Sequence, residues 1–417
     1  MSRRPARAAS LTLDAADPLG EFRNRFVVTD PRLIYLDGNS LGRLPVTTAR
    51  AMVDTIDREW GDGLVRSWHD WIDLPARIGD QIAPLVGAHP GEVLVADQTS
   101  VNLYKLAAAA LAFIGRPDIV TDDANFPSDH YVLAAVARAA GGRLRIAETH
   151  PIDGVTSDDV SRHLDDRVGL VSLSHVAFKS GALAGMSAIS ATANAAGALT
   201  LWDLSHSVGA VPIELDRAQA SLAVGCTYKY LNAGPGAPGF LYVRSDLQGH
   251  LLSPIPGWFG HDDMFAFDPE YRPASGIRRF AAGTPPIVSL RGVEHGVALT
   301  ADAGIEAIRT KSIALTEHLI ACFDARLDPL GCTLGTPRRA ARRGSHVAVR
   351  HPDGYRITQA LIARGVVPDF RAPDTIRLGL APLYTTFTDV YDAVDHFADI
   401  LETGEHEAYP GRIGRVT

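Results

Sequence analysis

Two apolar runs in the middle of the chain each end on a residue with chemistry to offer. The first closes on Asp203, with His206 three residues later. The second leads to Thr227-Tyr228-Lys229 and opens into a loop rich in Gly and Pro. Acid and lysine stand 26 positions apart (203 to 229). An acid at one strand end and a lysine at the next meet the demands of pyridoxal phosphate, which wants a carboxylate on its ring nitrogen and an amine for its aldehyde. Its phosphate needs N–H and O–H donors. The carboxylate of an amino-acid substrate needs a cation, best supplied by the planar fork of Arg. Thr99 and Ser100 precede an apolar helix, where hydroxyls serve as N-caps and free N–H groups suit a phosphate. Phe126 and Asp129 flank another helix start, and Ser174 ends a third apolar run. Taken singly, each has a plain structural explanation: a solvated lysine, a cap, a core ring. Asp203, His206 and Lys229 together are far more specific.

The elements that must position these residues alternate along the chain. Short apolar runs at 92–96, 118–122, 143–148, 169–174, 199–203 and 239–243 read as strands, and helical patterns lie between many of them. This predicts an α/β fold, a large domain with a mainly parallel sheet sandwiched by helices, followed by a small α+β C-terminal domain. The expected division is an N-terminal arm over 1–50, packing on the small domain and the active site, a large domain over 51–290 and a small domain over 291–417. Functional residues of such sheets collect at strand C-terminal ends. Ser174, Asp203 and Lys229 all stand there. The turn Asp37-Gly38-Asn39-Ser40-Leu41-Gly42 is a surface turn or the lining of a cleft. Trp68 and Trp71 are core packing or an aromatic wall for a substrate ring. The segment from 244 to 286, with Trp258 and Thr284, is long for a structureless connection, and such loops are functional or intersubunit.

Bulk properties narrow the class. A net charge of −8 and a pI of about 6.0 argue against nucleic acid or an anionic membrane as a main partner. The basic run Pro337 to Arg343 reads as a solvated loop. Three cysteines without CxxC spacing fit a reducing cytosol and offer no metal framework. No apolar run reaches the roughly 18 residues of a membrane span. The first twenty residues carry Arg, Asp14 and Asp17 without an apolar signal core and read as a frayed arm. A cytoplasmic protein without a metal site is expected.

The motifs YLDGNSLG, FPSD, DLSHSVGAVP, TYKYLNAGPG and GTPPI, in this chain order within a similarity from about Tyr35 to Tyr384, resemble kynureninase, a fold type I pyridoxal phosphate enzyme of the aspartate aminotransferase superfamily. The lysine motif alone would identify only the superfamily. The resemblance implies hydrolysis of L-kynurenine, and by extension 3-hydroxykynurenine, to an anthranilate and L-alanine. It implies that Lys229 bonds to the cofactor, that Asp203 pairs with its ring nitrogen and that His206 lies near its ring oxygen. It makes Thr99, Ser100, Tyr228 and Ser174 cofactor contacts and stacks Phe126 on the ring near Asp129. Trp258 and Thr284 would reach the site from the neighbouring subunit of a homodimer. Arg377 matches the arginine for the substrate carboxylate, with Asn39, Ser40 and Trp68 as further substrate contacts. Lys229, Tyr228 and Asp203 are the expected catalytic residues, Tyr228 as an acid–base group tuned by the phosphate. Two departures bear on aryl recognition: the loop 61–67 lacks a His that some members carry, and Thr284 stands where some have Asn. A cysteine desulfurase or epimerase of the same superfamily is the nearest alternative, and the former needs a nucleophilic loop cysteine, for which Cys332 is the candidate. A catalytically silent regulator would need a DNA-binding domain, for which there is no room ahead of residue 35.

Overall fold

The apolar runs between 93 and 243 become one seven-stranded sheet, because runs this short, with helices between many of them, bury both faces only by pairing side by side. The computed structural model describes residues 6–411 and residue 414. Its strands are β1 (Ile34–Tyr35), β2 (Val93–Val95), β3 (Asp118–Asp122), β4 (Leu144–Ala147), β5 (Val168–Ser174), β6 (Leu199–Asp203), β7 (Leu222–Gly225), β8 (Phe240–Val243), β9 (Thr333–Leu334), β10 (His346–Arg350), β11 (Val366–Val367), β12 (Asp369–Arg371) and β13 (Thr375–Gly379). The large sheet has the order β2-β8-β7-β6-β5-β3-β4. β4, β3, β5, β6 and β7 are parallel neighbours, and β8 runs against both β7 and β2.

Alternate residues of each strand feed two cores. Leu201 and Leu222 belong to one face, Trp202 and Ala223 to the other. Trp202 is fully buried, and its Nε1 donates to Ser190 Oγ at 3.1 Å on the crossover helix Met186–Ala195. That bond satisfies a buried donor that would otherwise cost about 1–3 kcal/mol.

The small domain is a four-stranded antiparallel sheet in the order β12-β13-β10-β9, with the helices Ile305–Arg326, Gly354–Ala363 and Phe387–Thr403 sharing its core. The N-terminal segment joins this domain. β1 pairs in parallel with β11, and the helix Arg7–Ala15 packs on the helix Phe387–Thr403. A frayed arm was the expectation for the first twenty residues. Instead Asp14 accepts the N–H groups of Phe387 (2.6 Å) and Thr388 (3.0 Å), supplying acceptors to a helix N-terminus, and Asp17 pairs with buried Lys311 Nζ at 2.6 Å.

Three other expectations need correction. Residue 290 falls inside the helix Ile287–Ala303, which packs on Val46–Asp54 and Leu74–Ile82 of the large domain. The chain break lies at Gly304, whose φ of +76° separates that helix from Ile305–Arg326. The polar stretch 151–166, whose pattern reads as helix-like, holds only the short helix Ser157–Ser161, opened by a Thr156–Asp159 capping box. The basic run is not solvated throughout: Arg343 is fully buried, donating to Thr316 Oγ1 at 3.0 Å and pairing with Glu317.

Candidate active site

β6 and β7 end side by side, so the two central residues meet there. Asp203 is the last residue of β6, and Lys229 follows β7 by a tight loop. Thr227 Oγ1 pins that loop by donating to Pro238 O at 2.7 Å. Lys229 Nζ stands 2.9 Å from His206 Nε2, 6.0 Å from the centroid of Phe126 and 5.9 Å from that of Tyr228. These groups line a cavity of ≈ 310 Å³ together with Gln98, Thr99, Ser100, Ser128, Asp129, Asp203, Ser205, Gly236, Ala237 and Gly239.

One wall is the start of the helix Thr99–Ile114. Gln98 is its N-cap and makes no side-chain cap bond, so Thr99 and Ser100 bring hydroxyls and a helix N-terminus to the cavity. Gly239 faces them closely. A Cβ there would meet Gly225 O at 2.9 Å and Thr99 N at 3.2 Å. Asp97, just ahead of the helix, is held by Lys105, whose fully buried Nζ donates to Asp97 Oδ2 at 2.7 Å. Nothing in the sequence pattern singled out Lys105, since a lysine on a helix reads as a surface residue.

The acids are buried under the opposite wall. Asp203 Oδ1 accepts Ser205 N–H at 2.8 Å. Burial pushes its carboxyl up, against the pull of Ser205 and Lys229. Asp129 sits in the first turn of the helix Pro127–Ala139, with Oδ2 buried and unpartnered. Burial, reinforced by Asp203, raises it well above the usual carboxylate range. Burial, Lys229 and Arg377 hold His206 well below the usual imidazole range, so its ring is neutral. Cys226, burial and Asp203 push the Tyr228 phenol upward, so it keeps its proton. Before any phosphate acts on this phenol, the chain's own neighbours already favour its protonated form.

This cavity fits pyridoxal phosphate in its donor set. Two buried acids share one lysine, and a cationic ring nitrogen would answer the charge they lack. The hydroxyls and helix start suit a phosphate, and Phe126 offers a ring face.

Ser174 lies elsewhere. It is opposite Asp203 in the β5–β6 register, but its hydroxyl donates to Asn125 Oδ1 at 2.6 Å and faces a separate small cavity with Asp122 and Gly154. Arg377, Asn39 and Ser40 form a second group. Arg377 is buried on β13, and its Nη2 donates to Ser40 Oγ at 3.1 Å. Asn39 is fully buried, with both amide atoms unpartnered, against Gly379, where a Cβ would meet Asn39 Oδ1 at 1.7 Å. His346 on β10 links the two groups: its ring lies 5.6 Å from that of His206, and β10 pairs with β13. Burial, Arg377 and Lys229 push His346 down to about 3. Trp68 and Trp258 form a third group, joined through Phe259 at 6.0 and 4.6 Å. They do not line the lysine cavity, and Thr284 is exposed. Asp369 and His346 escaped the sequence reading, because their partners come together only through strand pairing.

A family model described as the kynureninase C-terminal domain matches residues 308–397. Kynureninase of Pseudomonas fluorescens is 44% identical over 401 residues, spanning 94% of each chain. The chain belongs to the kynureninase family. Kynureninase of Burkholderia pseudomallei (strain 1106a) is likewise 44% identical, over 95% of this chain and 96% of its own. Among solved structures, a cysteine desulfurase of Thermococcus onnurineus NA1 superposes with a TM-score of 0.80 at 18% identity, covering 92% of this chain and 98% of its own. A C-DES variant with glycine covalently linked to its PLP cofactor gives 0.78 at 19% identity, covering 90% and 99%. These likenesses show a shared fold. The cysteines do not extend it to desulfurase chemistry. Cys226, Cys322 and Cys332 are all buried, and burial with Asp328 nearby pushes the Cys332 thiol up to about 12. A nucleophilic cysteine needs the reverse, a thiolate on an accessible loop. No helix among the described residues is long and apolar enough to cross a membrane, and no group of metal-ligating side chains occurs among them.

Proposed function

We propose that this chain hydrolyses L-kynurenine to anthranilate and L-alanine with pyridoxal phosphate as cofactor. The observation that carries the reading is 44% identity to kynureninases along 94% of the chain, in a protein whose strand ends bring Asp203 and Lys229 into one cavity. Lys229 would bond to the cofactor, with Asp203 and Asp129 toward the ring, His206 toward its oxygen, Phe126 against its face, and Thr99, Ser100 and the helix start toward its phosphate. Once bound, the cofactor supplies an electron sink for the carbanion at the substrate Cα.

The chain's own residues do the rest. Arg377 holds the α-carboxylate, and Ser40 braces its guanidinium by accepting from Nη2. The Lys229 amine, set free when the substrate amine takes its place, takes the Cα proton, with His206 Nε2 2.9 Å away. His206, kept neutral, gives or accepts one hydrogen bond without competing as a cation. Tyr228 holds a proton to deliver where negative charge develops. Water adds to the aryl ketone, the bond between Cβ and Cγ breaks, and the two products leave.

The aryl ring needs a wall that the lysine cavity lacks. Trp258 is 40% exposed, and Phe265 and Phe267 beside it are 59% and 79% exposed. Such a cluster on a long loop suits burial against a second copy. We assign Trp258 and Thr284 to the partner's site in a cytoplasmic homodimer, with Trp68 beside them. A second substrate, 3-hydroxykynurenine, is to be ranked against the first by the same assay.

Incubation of the purified protein with L-kynurenine should release fluorescent anthranilate and L-alanine in equal amounts. The protein should be yellow, and Lys229→Ala should be inactive and bind the cofactor without the absorbance that borohydride bleaches. An unaltered absorbance in that variant removes the lysine assignment. Sulfide from cysteine without anthranilate from kynurenine replaces the whole reading with that of a desulfurase.

A further inference from the structure

Arg377 spends most of its hydrogen-bonding capacity inside the protein. A guanidinium carries five N–H bonds. Nε donates to Asp369 Oδ1 at 3.2 Å and Nη2 to Asp369 Oδ2 at 2.5 Å. Nη2 also donates to Ser40 Oγ at 3.1 Å, and Nη1 to Phe178 O at 2.6 Å. One N–H, on Nη1, is left. Asp369 thus covers the Nε–Nη2 edge of the fork, Ser40 takes the second Nη2 N–H, and one Nη1 N–H remains for a ligand.

Asp369 is built into this place. It sits directly opposite Arg377 in the β12–β13 register and is 2% exposed. Its carboxylate also accepts Arg371 Nη2 at 2.7 Å and Ser40 Oγ at 2.8 Å. Arg371 holds it from the solvent side, and Ser40 brings in the N-terminal turn. One carboxylate therefore fixes both Arg377 and Ser40, which come from segments more than 300 residues apart.

We propose that Asp369 is a positioning residue for substrate binding: it clamps the Nε–Nη2 edge of Arg377 and the hydroxyl of Ser40, so that a ligand α-carboxylate is received on the free Nη1 N–H. This rests on the reading of Arg377 as the carboxylate site. Without Asp369 the fork can turn either edge to the cleft, and the ligand must fix it at its own cost.

The test uses the cofactor-loaded enzyme and titrates L-alanine and L-alaninamide by the change in cofactor absorbance, alongside kynurenine kinetics. Asp369→Asn should weaken L-alanine about 10- to 100-fold and raise KM for L-kynurenine by a similar factor, as expected for one lost charge-assisted contact, while kcat changes far less. The preference for L-alanine over its amide should fall by the same factor, which a general loss of packing would not produce. Arg377→Ala is the control. If it weakens L-alanine while Asp369→Asn leaves it within twofold, the positioning role is overturned. If neither variant weakens L-alanine, the carboxylate site itself is misassigned and both readings fall. A crystal structure of the unmodified enzyme with L-alanine keeps the test independent of how the variants fold. Asp369 should remain on the Nε–Nη2 edge with the ligand carboxylate on Nη1, and a ligand found on the Nε–Nη2 edge overturns the proposal.

Discussion

Burial decides what the individual side chains can do. Asp203 and Asp129 share a pocket with one lysine, and burial pushes both toward the neutral form, while burial and then the surrounding cations push His206 and His346 the same way. A protein keeps such groups where a ligand supplies the missing charge. Asp37 shows the cost. Burial and the neighbouring Asp369 push it up to about 6, against 3.8 for a free carboxyl. Between those values the folded form holds a proton that the unfolded form has lost, so folding stability falls as pH rises from about 4 to about 6 and stays lower above. Asp37→Asn removes this penalty. Denaturant titrations should show its stability relative to the parent rising across that window, by at most about 3 kcal/mol. A constant difference from pH 4 to pH 7 would mean that Asp37 titrates normally. Lys229, by contrast, was legible from its neighbours in the chain, because Thr227, Tyr228 and the glycine-rich loop are its local scaffold.

Elements set which residues meet. The ends of β6 and β7 place Asp203 and Lys229 together because the strands are parallel neighbours, and alternation of apolar runs with helices already implied that. The pairing of β12 with β13 is different. It places Asp369 against Arg377, yet no spacing rule relates residues eight apart across a turn to a carboxylate site. The N-terminal helix was also hidden, because its sequence is mildly polar and its partner lies some 370 residues away. Asp14 is the fastening: it accepts two N–H groups at the start of the helix Phe387–Thr403, beside the Thr386–Asp389 capping box. Asp14→Ala should destabilise the small domain by about 1–2 kcal/mol, the worth of a strong N-cap. Thermal unfolding would read this as a lower Tm, and an unchanged Tm would show that Thr386 and Asp389 suffice.

At the scale of the molecule, three groups of site residues stand apart in one chain. The lysine cavity belongs to the large domain, and Arg377 with Ser40 lies where the small domain meets the N-terminal turn. The aromatic group of Trp68, Phe259 and Trp258 faces outward. His206 and His346 bridge the first two. By our proposal, a second copy brings the third to the substrate. Mixing inactive Lys229→Ala with a disabled Trp258→Ala variant, after dissociation and reassociation, tests this directly. Shared sites in a twofold dimer regenerate one intact site in each mixed dimer, so about a quarter of full activity should return. No recovery from mixed dimers would place each complete site within one chain.

By itself, the sequence determined the fold class, the cofactor chemistry and the family. The first two depend on local patterns, namely apolar runs of strand length, a lysine framed by Thr, Tyr and glycines, and an acid at a strand end, and the family on the resemblance carried by five motifs together. The tertiary structure alone decided the electrostatics and the division of the site. Ser174 turned out to serve Asn125, Arg377 to be clamped by Asp369, and the chain to divide at Gly304 rather than near 290. The physical reason is one of range. Strand and helix periodicity is written in neighbouring residues, whereas hydrogen-bond partners and burial come from residues brought together by packing, and no local pattern encodes them.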